Sequence, residues 1–309
     1  MLSYFPIYNL LKFYYESKHS ADNPRFCYSF WLRLLKYLQP YKHNLSRVAE
    51  IGTGHTTGVG LMALLTGTEV FCAFEVNKKK YNGIRNIQIF EAMVQLLKAR
   101  TPIPDEKEFP QINIIIDDYS FPSDILTDAI LDFTLNKYRL ASLIRDLKLG
   151  NTSGSFHYYN NWNKKKNTFK YFDFVYSRAV MEHVDYPESI HKDISDLLKT
   201  DGLLLHDIEF HSHGISNLWN GHYFYSPKVW RLIKGKRKNF LNRLTLNEHL
   251  EIIKYTNSEI LDILKRYKEP GNINHEFFNK YTLEDLKIIG ACVLLKKSEF
   301  SNINLNLNV

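Results

Sequence analysis

The chain has 309 residues, of which 44% are apolar and 24% charged, with a formal net charge of +7. These values exclude a disordered or fibrous polypeptide and leave room for one large domain with a substantial embellishment. No uncharged apolar run approaches the roughly 18 residues of a membrane span, and the apolar start is broken by Lys12 and Glu16 with no small-residue cleavage site after it.

Cys27, Cys72 and Cys292 are odd in number, far apart and mostly in apolar surroundings, which predicts reduced thiols and a cytoplasmic location. The basic residues fall into short separate clusters, Lys78 to Lys80, Lys164 to Lys166, and Lys234 with Lys236 to Lys238. Such clusters read as solvated loops and helix faces and argue against a nucleic-acid partner.

In chain order, Ser29 to Leu38 has apolar residues at helical spacing and ends before Pro40, so residues 1–46 read as a helical N-terminal extension. The domain proper, 47–298, opens with the strand RVAEI and the turn GTG, followed by a helix-length segment and a second strand, EVFCAF, that runs into Glu75. Two segments compete for the third strand. Gln111 to Asp117 (QINIIID) has the stronger β composition, but Ser155 to Tyr159 (SFHYY) follows a helix closed by Gly150. The second is favoured, which makes about 100–134 a helical insertion.

Tyr171 to Ser177 (YFDFVYS) reads as the fourth strand, Pro187 starts a one-sided apolar helix, and Leu203 to Ile208 (LLLHDI) is another buried strand. A Tyr/Trp/Lys-rich segment, about 214–241, reads as a cap. Beyond it come a helix near Thr245 to Tyr255, a short strand near Ile260, a helix from Thr282, a strand Ala291 to Leu295, and a frayed tail, 299–309.

Alternating strands and helices imply a mostly parallel sheet with its ligand at the carboxyl ends of the strands, where Gly52 and Gly54 lie. The dinucleotide pattern G-x-G-x-x-G fails at Thr57. Glu75 can accept ribose hydroxyls, which NAD and S-adenosylmethionine share, whereas Glu50 would repel a pyrophosphate and attract an ammonium or sulfonium. An amide-rich and aromatic loop, Asn160 to Trp162, follows the third strand.

On these residues the sequence resembles class I S-adenosylmethionine-dependent methyltransferases, from about Arg47 to Lys297. AEIGTGHTT is similar to their first motif, FDFVYSRAVMEHV to the fourth-strand motif and DGLLLHDIEFHSH to the fifth strand. EIGTG, SRAVMEHV, the spacing of His206, His211 and His213, and NRLTLNEHLEII are similar to a bacterial group of unassigned substrate. His55 and Thr56 depart from the usual aromatic and glycine, and Thr56 narrows the space over the methionine moiety. The resemblance implies a Rossmann-like, seven-stranded, mostly parallel sheet with helices on both faces and an antiparallel final strand.

It also implies S-adenosylmethionine as cofactor, bound by Glu50, Gly52, Thr53, Gly54, Glu75, Asn160 and Ser177, and a small-molecule or glycan acceptor methylated at oxygen. A hydroxyl acceptor needs a base, and histidine titrates near neutrality. His213, just past the fifth strand, is the first candidate and His183 the second, while His206 reads as a core residue. Glu182, His183 and one later histidine would also suit a divalent cation; whether a metal is used stays open, as does oligomeric state. Tyr223, Tyr225, Trp230, Asn242 and Arg243 read either as a substrate wall or as cap packing. The alternative function is a non-catalytic or nucleic-acid-binding protein on the same fold.

Overall fold

The computed structural model describes residues 21–42, 44–54, 56–75, 81–150, 154–159, 170–271 and 281–298. The chain divides into two compact units, Met1–Lys166 and Asn167–Val309.

The first unit opens with α1, Pro24–Leu38. Asn23 caps it by accepting from the backbone N–H groups of Arg25 and Phe26, and Pro24 takes a first-turn position where no amide proton is needed. Phe26, Phe30, Trp31 and Leu34 are fully buried, and each such side chain contributes about 2 to 3 kcal/mol by leaving water. Arg33 is buried as well. Its guanidinium donates to Pro104 O at 2.6 and 3.3 Å and to Ile114 O at 3.3 Å, and Ser29 Oγ donates to Pro104 O at 2.7 Å. Thus α1 is a core element, and it anchors the segment expected as an insertion.

Strand β1, Arg47–Ile51, pairs in parallel with β2, Val70–Phe74, and β2 pairs in parallel with β3, Phe156–Tyr159. The register sets Ile51 beside Phe74 and Phe74 beside Tyr159, so the three strands end level. The third strand is therefore the favoured segment. Gln111 to Asp117 forms no strand: Ile112 and Ile114 are apolar because they are buried, not because they pair. Helix α2, Gly58–Leu65, is buried throughout. It lies so close to β2 that a Cβ on Gly60 would stand 1.9 Å from Phe71 Cζ. Helices α3, Gly83–Lys98, α4, Asp128–Thr134, and α5, Lys137–Leu149, complete this unit.

In the second unit β4, Phe172–Arg178, pairs in parallel with β5, Leu198–Glu209, while β7, Ile288–Lys297, runs antiparallel between β5 and β6, Ser258–Tyr267. Helix α6, Pro187–Leu197, joins β4 to β5. α7, Pro227–Lys234, is capped by Ser226, and α8, Leu246–Lys254, begins with a reciprocal Thr245–Glu248 capping box. α9, Leu283–Lys287, is short.

Both β6 and β7 are longer than their apolar runs indicated, at ten residues each. β6 ends the strand order, and Glu259, Asp262 and Lys265 interrupt its apolar pattern as charges commonly do on an edge. The seven strands, mostly parallel and with β7 reversed, are those of a Rossmann-like α/β fold. Residues 1–20 and 299–309 lie outside the described residues.

Candidate active site

At the end of β1 the backbone turns through Gly52 (φ 77°) and Gly54 (φ 74°), a left-handed conformation that glycine adopts without penalty. Gly52 N–H donates to Phe74 O at 2.7 Å and Gly54 N–H to Glu75 Oε2 at 2.7 Å, so the turn is tied to the end of β2. A Cβ on Gly54 would meet nothing within 4 Å, which leaves open space over the turn. Thr53 Oγ1 is buried with no hydrogen-bond partner among the described residues. Thr57 is bound through both N–H and hydroxyl to Asn86 Oδ1, at 3.0 and 3.1 Å.

Glu50 and Glu75 are both buried, 5% and 1% exposed. Two carboxyls at adjacent strand ends make a negative pole that suits an ammonium or sulfonium and opposes a pyrophosphate. The open space over Gly54 and the orphan hydroxyl of Thr53 fit the amino-acid end of S-adenosylmethionine. His55 and the loop 160–162, with Asn160, lie outside the described residues. A hollow of about 250 Å³ lined by Trp31, Asn44, Ser46 and Thr68 is at the opposite, N-terminal ends of β1 and β2.

In the second unit Ser177 on β4 is fully buried, and its hydroxyl lies 2.7 Å from His206 Nδ1 on β5. That side chain is committed inside the sheet. After β4 the chain passes through Ala179, at φ 51°, into a single tight turn, Met181–His183. Asn242 holds this turn: its Nδ2 donates to Met181 O at 2.8 Å and Val184 O at 3.1 Å, and its N–H to Glu182 O at 2.7 Å. Asn242 thus acts on the turn and not as a substrate wall.

The turn and the end of β5 bring His183, His211 and His213 together, with ring centroids 4.9 Å apart for His183 and His213 and 3.9 Å for His211 and His213. His213 Nε2 is 3.9 Å from Glu182 Oε1. His211 Nδ1 accepts from His213 N–H at 3.2 Å and its Nε2 lies 2.7 Å from Glu209 Oε2. An accepting Nδ1 fixes the proton of neutral His211 on Nε2, facing Glu209.

Two buried carboxyls differ here. Burial, then the neighbouring charge of Glu209, pushes Glu182 well above the usual carboxylate range. Burial also acts to raise Glu209, but the hydrogen bond from His211 and the charge of Arg178 outweigh it and hold that group below the range. Arg178 Nη2 reaches Glu209 at 3.3 Å and its Nε reaches Asp207 at 3.5 Å. Glu209 and Arg178 were missed from sequence; a carboxylate ending a buried strand was the available signal.

The remaining wall candidates pack the cap. Arg243 donates to Tyr225 O at 2.6 Å and His222 O at 3.3 Å and lies 4.7 Å from the Trp230 ring. Tyr223 is buried, with its hydroxyl donating to Leu244 O at 3.3 Å, and Tyr225 donates to Ile215 O at 3.4 Å.

A model of the methyltransferase domain matches residues 24–267, and the chain belongs to that family. It is an S-adenosylmethionine-dependent methyltransferase with a class I, Rossmann-like fold. No curated protein matches the sequence. Among solved structures, a SAM-dependent methyltransferase from Methanosarcina mazei is 14% identical over 85% of this chain and 97% of that one, with a TM-score of 0.44. Another, from Mesorhizobium loti, is 10% identical over 86% and 98%, with a TM-score of 0.40. The geranyl diphosphate C-methyltransferase of Streptomyces coelicolor A3(2), in complex with Mg2+, geranyl diphosphate and S-adenosylhomocysteine, is 9% identical over 85% and 76%, with a TM-score of 0.43. No helix among the described residues is long and apolar enough to cross a membrane.

Proposed function

We propose that the protein transfers a methyl group to the oxygen of a small-molecule or glycan acceptor, in the cytoplasm. Bound S-adenosylmethionine supplies an electrophilic methyl on a cationic sulfur. Glu50 and Glu75 face its positive charge and ribose hydroxyls, and Gly52, Thr53 and Gly54 form the cradle. The domain is 47–298, with 1–46 as an N-terminal extension whose helix α1 is buried, an insertion at about 100–134 and a cap at about 214–241. Buried thiols at Cys27, Cys72 and Cys292 agree with a reducing compartment.

The observation carrying the oxygen assignment is the grouping of His183, His211 and His213 beside Glu182. An amine acceptor attacks once it is aligned, but a hydroxyl must also lose a proton. His213 takes that proton, with His183 as its neighbour. Family membership favours this enzyme over a binding module of the same fold.

Incubation with labelled S-adenosylmethionine and pools of alcohols, glycans, amines and RNA tests the reading. Label is expected in hydroxyl-bearing small molecules or glycans; label confined to amines or RNA sinks it. His213→Ala and His183→Ala should lower turnover, the first by about 10² to 10⁴. Parent rates in both variants across about pH 6 to 9 would mean that alignment alone suffices.

A further inference from the structure

We infer that Glu182, His183 and His213 form a binding site for one divalent transition-metal ion, a property that goes beyond methyl transfer and is read independently of it. One ligand atom from each residue lies within 4.8 Å of the others. Three tetrahedral ligands at about 2.1 Å from a common ion stand about 3.4 Å apart, so the widest pair allowed by that 4.8 Å limit closes by at most about 1.4 Å, within reach of side-chain rotation.

The second observation is the carboxyl itself. Glu182 is 2% exposed, and neither side-chain oxygen has a hydrogen-bond partner among the described residues. Burying a carboxyl without such a partner is unfavourable, and a cation offsets it directly. Its Oε1 already faces His213 Nε2 at 3.9 Å. Asn242 fixes the turn that carries Glu182 and His183, so the backbone of two of the three ligands is held in place.

Glu209, His211 and His213 form a rival group of the same compactness. Its donors are committed, however: Glu209 is held by His211 at 2.7 Å and Arg178 at 3.3 Å, and the proton on His211 Nε2 faces that carboxylate. A dication there would have to displace a guanidinium. The Glu182 group is therefore the site, and Glu209 with Arg178 braces His211 beside it.

One carboxylate and two imidazoles suit Zn2+, Mn2+ or Fe2+ and disfavour Mg2+, which prefers oxygen donors. Three protein ligands leave positions open for an acceptor oxygen. An ion there would be held by Glu182, His183 and His213 and would lower the pKa of a coordinated acceptor hydroxyl, whose proton would pass to solvent; with the imidazoles unligated, His213 is the base.

The test is titration of the full chain with Zn2+ by calorimetry and with Co2+ by visible absorption, each after treatment with chelator. The wild type should take up one equivalent, and Co2+ should give ligand-field bands of a nitrogen and oxygen site. Removing a supporting group costs about 10- to 100-fold in affinity, so Glu182→Gln, His183→Ala and His213→Ala should each cost at least that, while Glu209→Gln should cost less than any of them. His183 and His213 are partly exposed, so these variants keep the fold even where Glu182→Gln does not. Absence of tight binding overturns the inference. So does binding that survives both histidine variants, or binding lost in Glu209→Gln but kept in Glu182→Gln. Metal uptake without methyl transfer would leave the site standing and refute the enzymatic reading instead.

Discussion

A single hydrogen atom at Gly60 sets how near α2 lies to β2. An added Cβ would stand 1.9 Å from a Phe71 ring that is fully buried and stacked on Phe156 at a centroid distance of 6.1 Å. Gly60→Ala should therefore destabilise by about 1 to 3 kcal/mol through overpacking. Phe71→Leu in the same chain should recover part of that loss in urea unfolding, and strictly additive losses would contradict the contact. The sequence pattern drew attention to the missing glycine at Thr57, yet the close approach occurs at Gly60. The positions of Glu50, Gly52, Gly54 and Glu75 at the ends of β1 and β2 were legible because strand ends follow chain order. Asn242 was not, since the carbonyls its Nδ2 reaches are 58 and 61 residues away and a lone asparagine among aromatics has no periodic signature.

At the scale of elements, α1 and the segment after α3 form one construction. The chain order made the helix an extension and the segment an insertion, because each reads as local. Arg33 joins them through three hydrogen bonds to Pro104 O and Ile114 O. Arg33→Met keeps much of the side-chain volume but leaves Ile114 O without its donor, while Pro104 O keeps the Ser29 hydroxyl, at about 1 to 3 kcal/mol for the buried group left unsatisfied. Limited proteolysis should then cut within 101–127 well before the parent is cut, and an unchanged pattern would refute the anchoring role. Most strands were legible from β-branched and aromatic runs; the extra length of β6 was not, because an edge strand carries charges.

At the scale of the whole molecule, pH enters through a buried histidine group that the chemistry does not use. His191 on α6 packs edge to face on His206 of β5, with centroids 4.6 Å apart, and lies 6.5 Å from His249 on α8. Burial lowers His191 from 6.5 to about 4 and His249 to about 3, and burial with its histidine neighbours lowers His206 well below its ordinary value. The folded state keeps these rings neutral while the unfolded chain protonates them below pH 6.5. Their contribution is complete above that value and is lost as pH falls towards about 4, by about 1.4 kcal/mol per pH unit for each ring. Unfolding midpoints should drop between pH 6.5 and 5, less steeply in His249→Leu. Equal slopes in the two proteins would exclude this source.

The central claim is that cofactor holding and proton acceptance are separate functions of separate residues. Calorimetric titration with S-adenosylhomocysteine of the wild type, Glu75→Ala and His213→Ala tests it most directly. The wild type should bind, Glu75→Ala should bind more weakly by about 1.5 to 3 kcal/mol, or roughly 10- to 150-fold, and His213→Ala should bind as the wild type does. Unchanged affinity in Glu75→Ala, or affinity lost in His213→Ala, would contradict it.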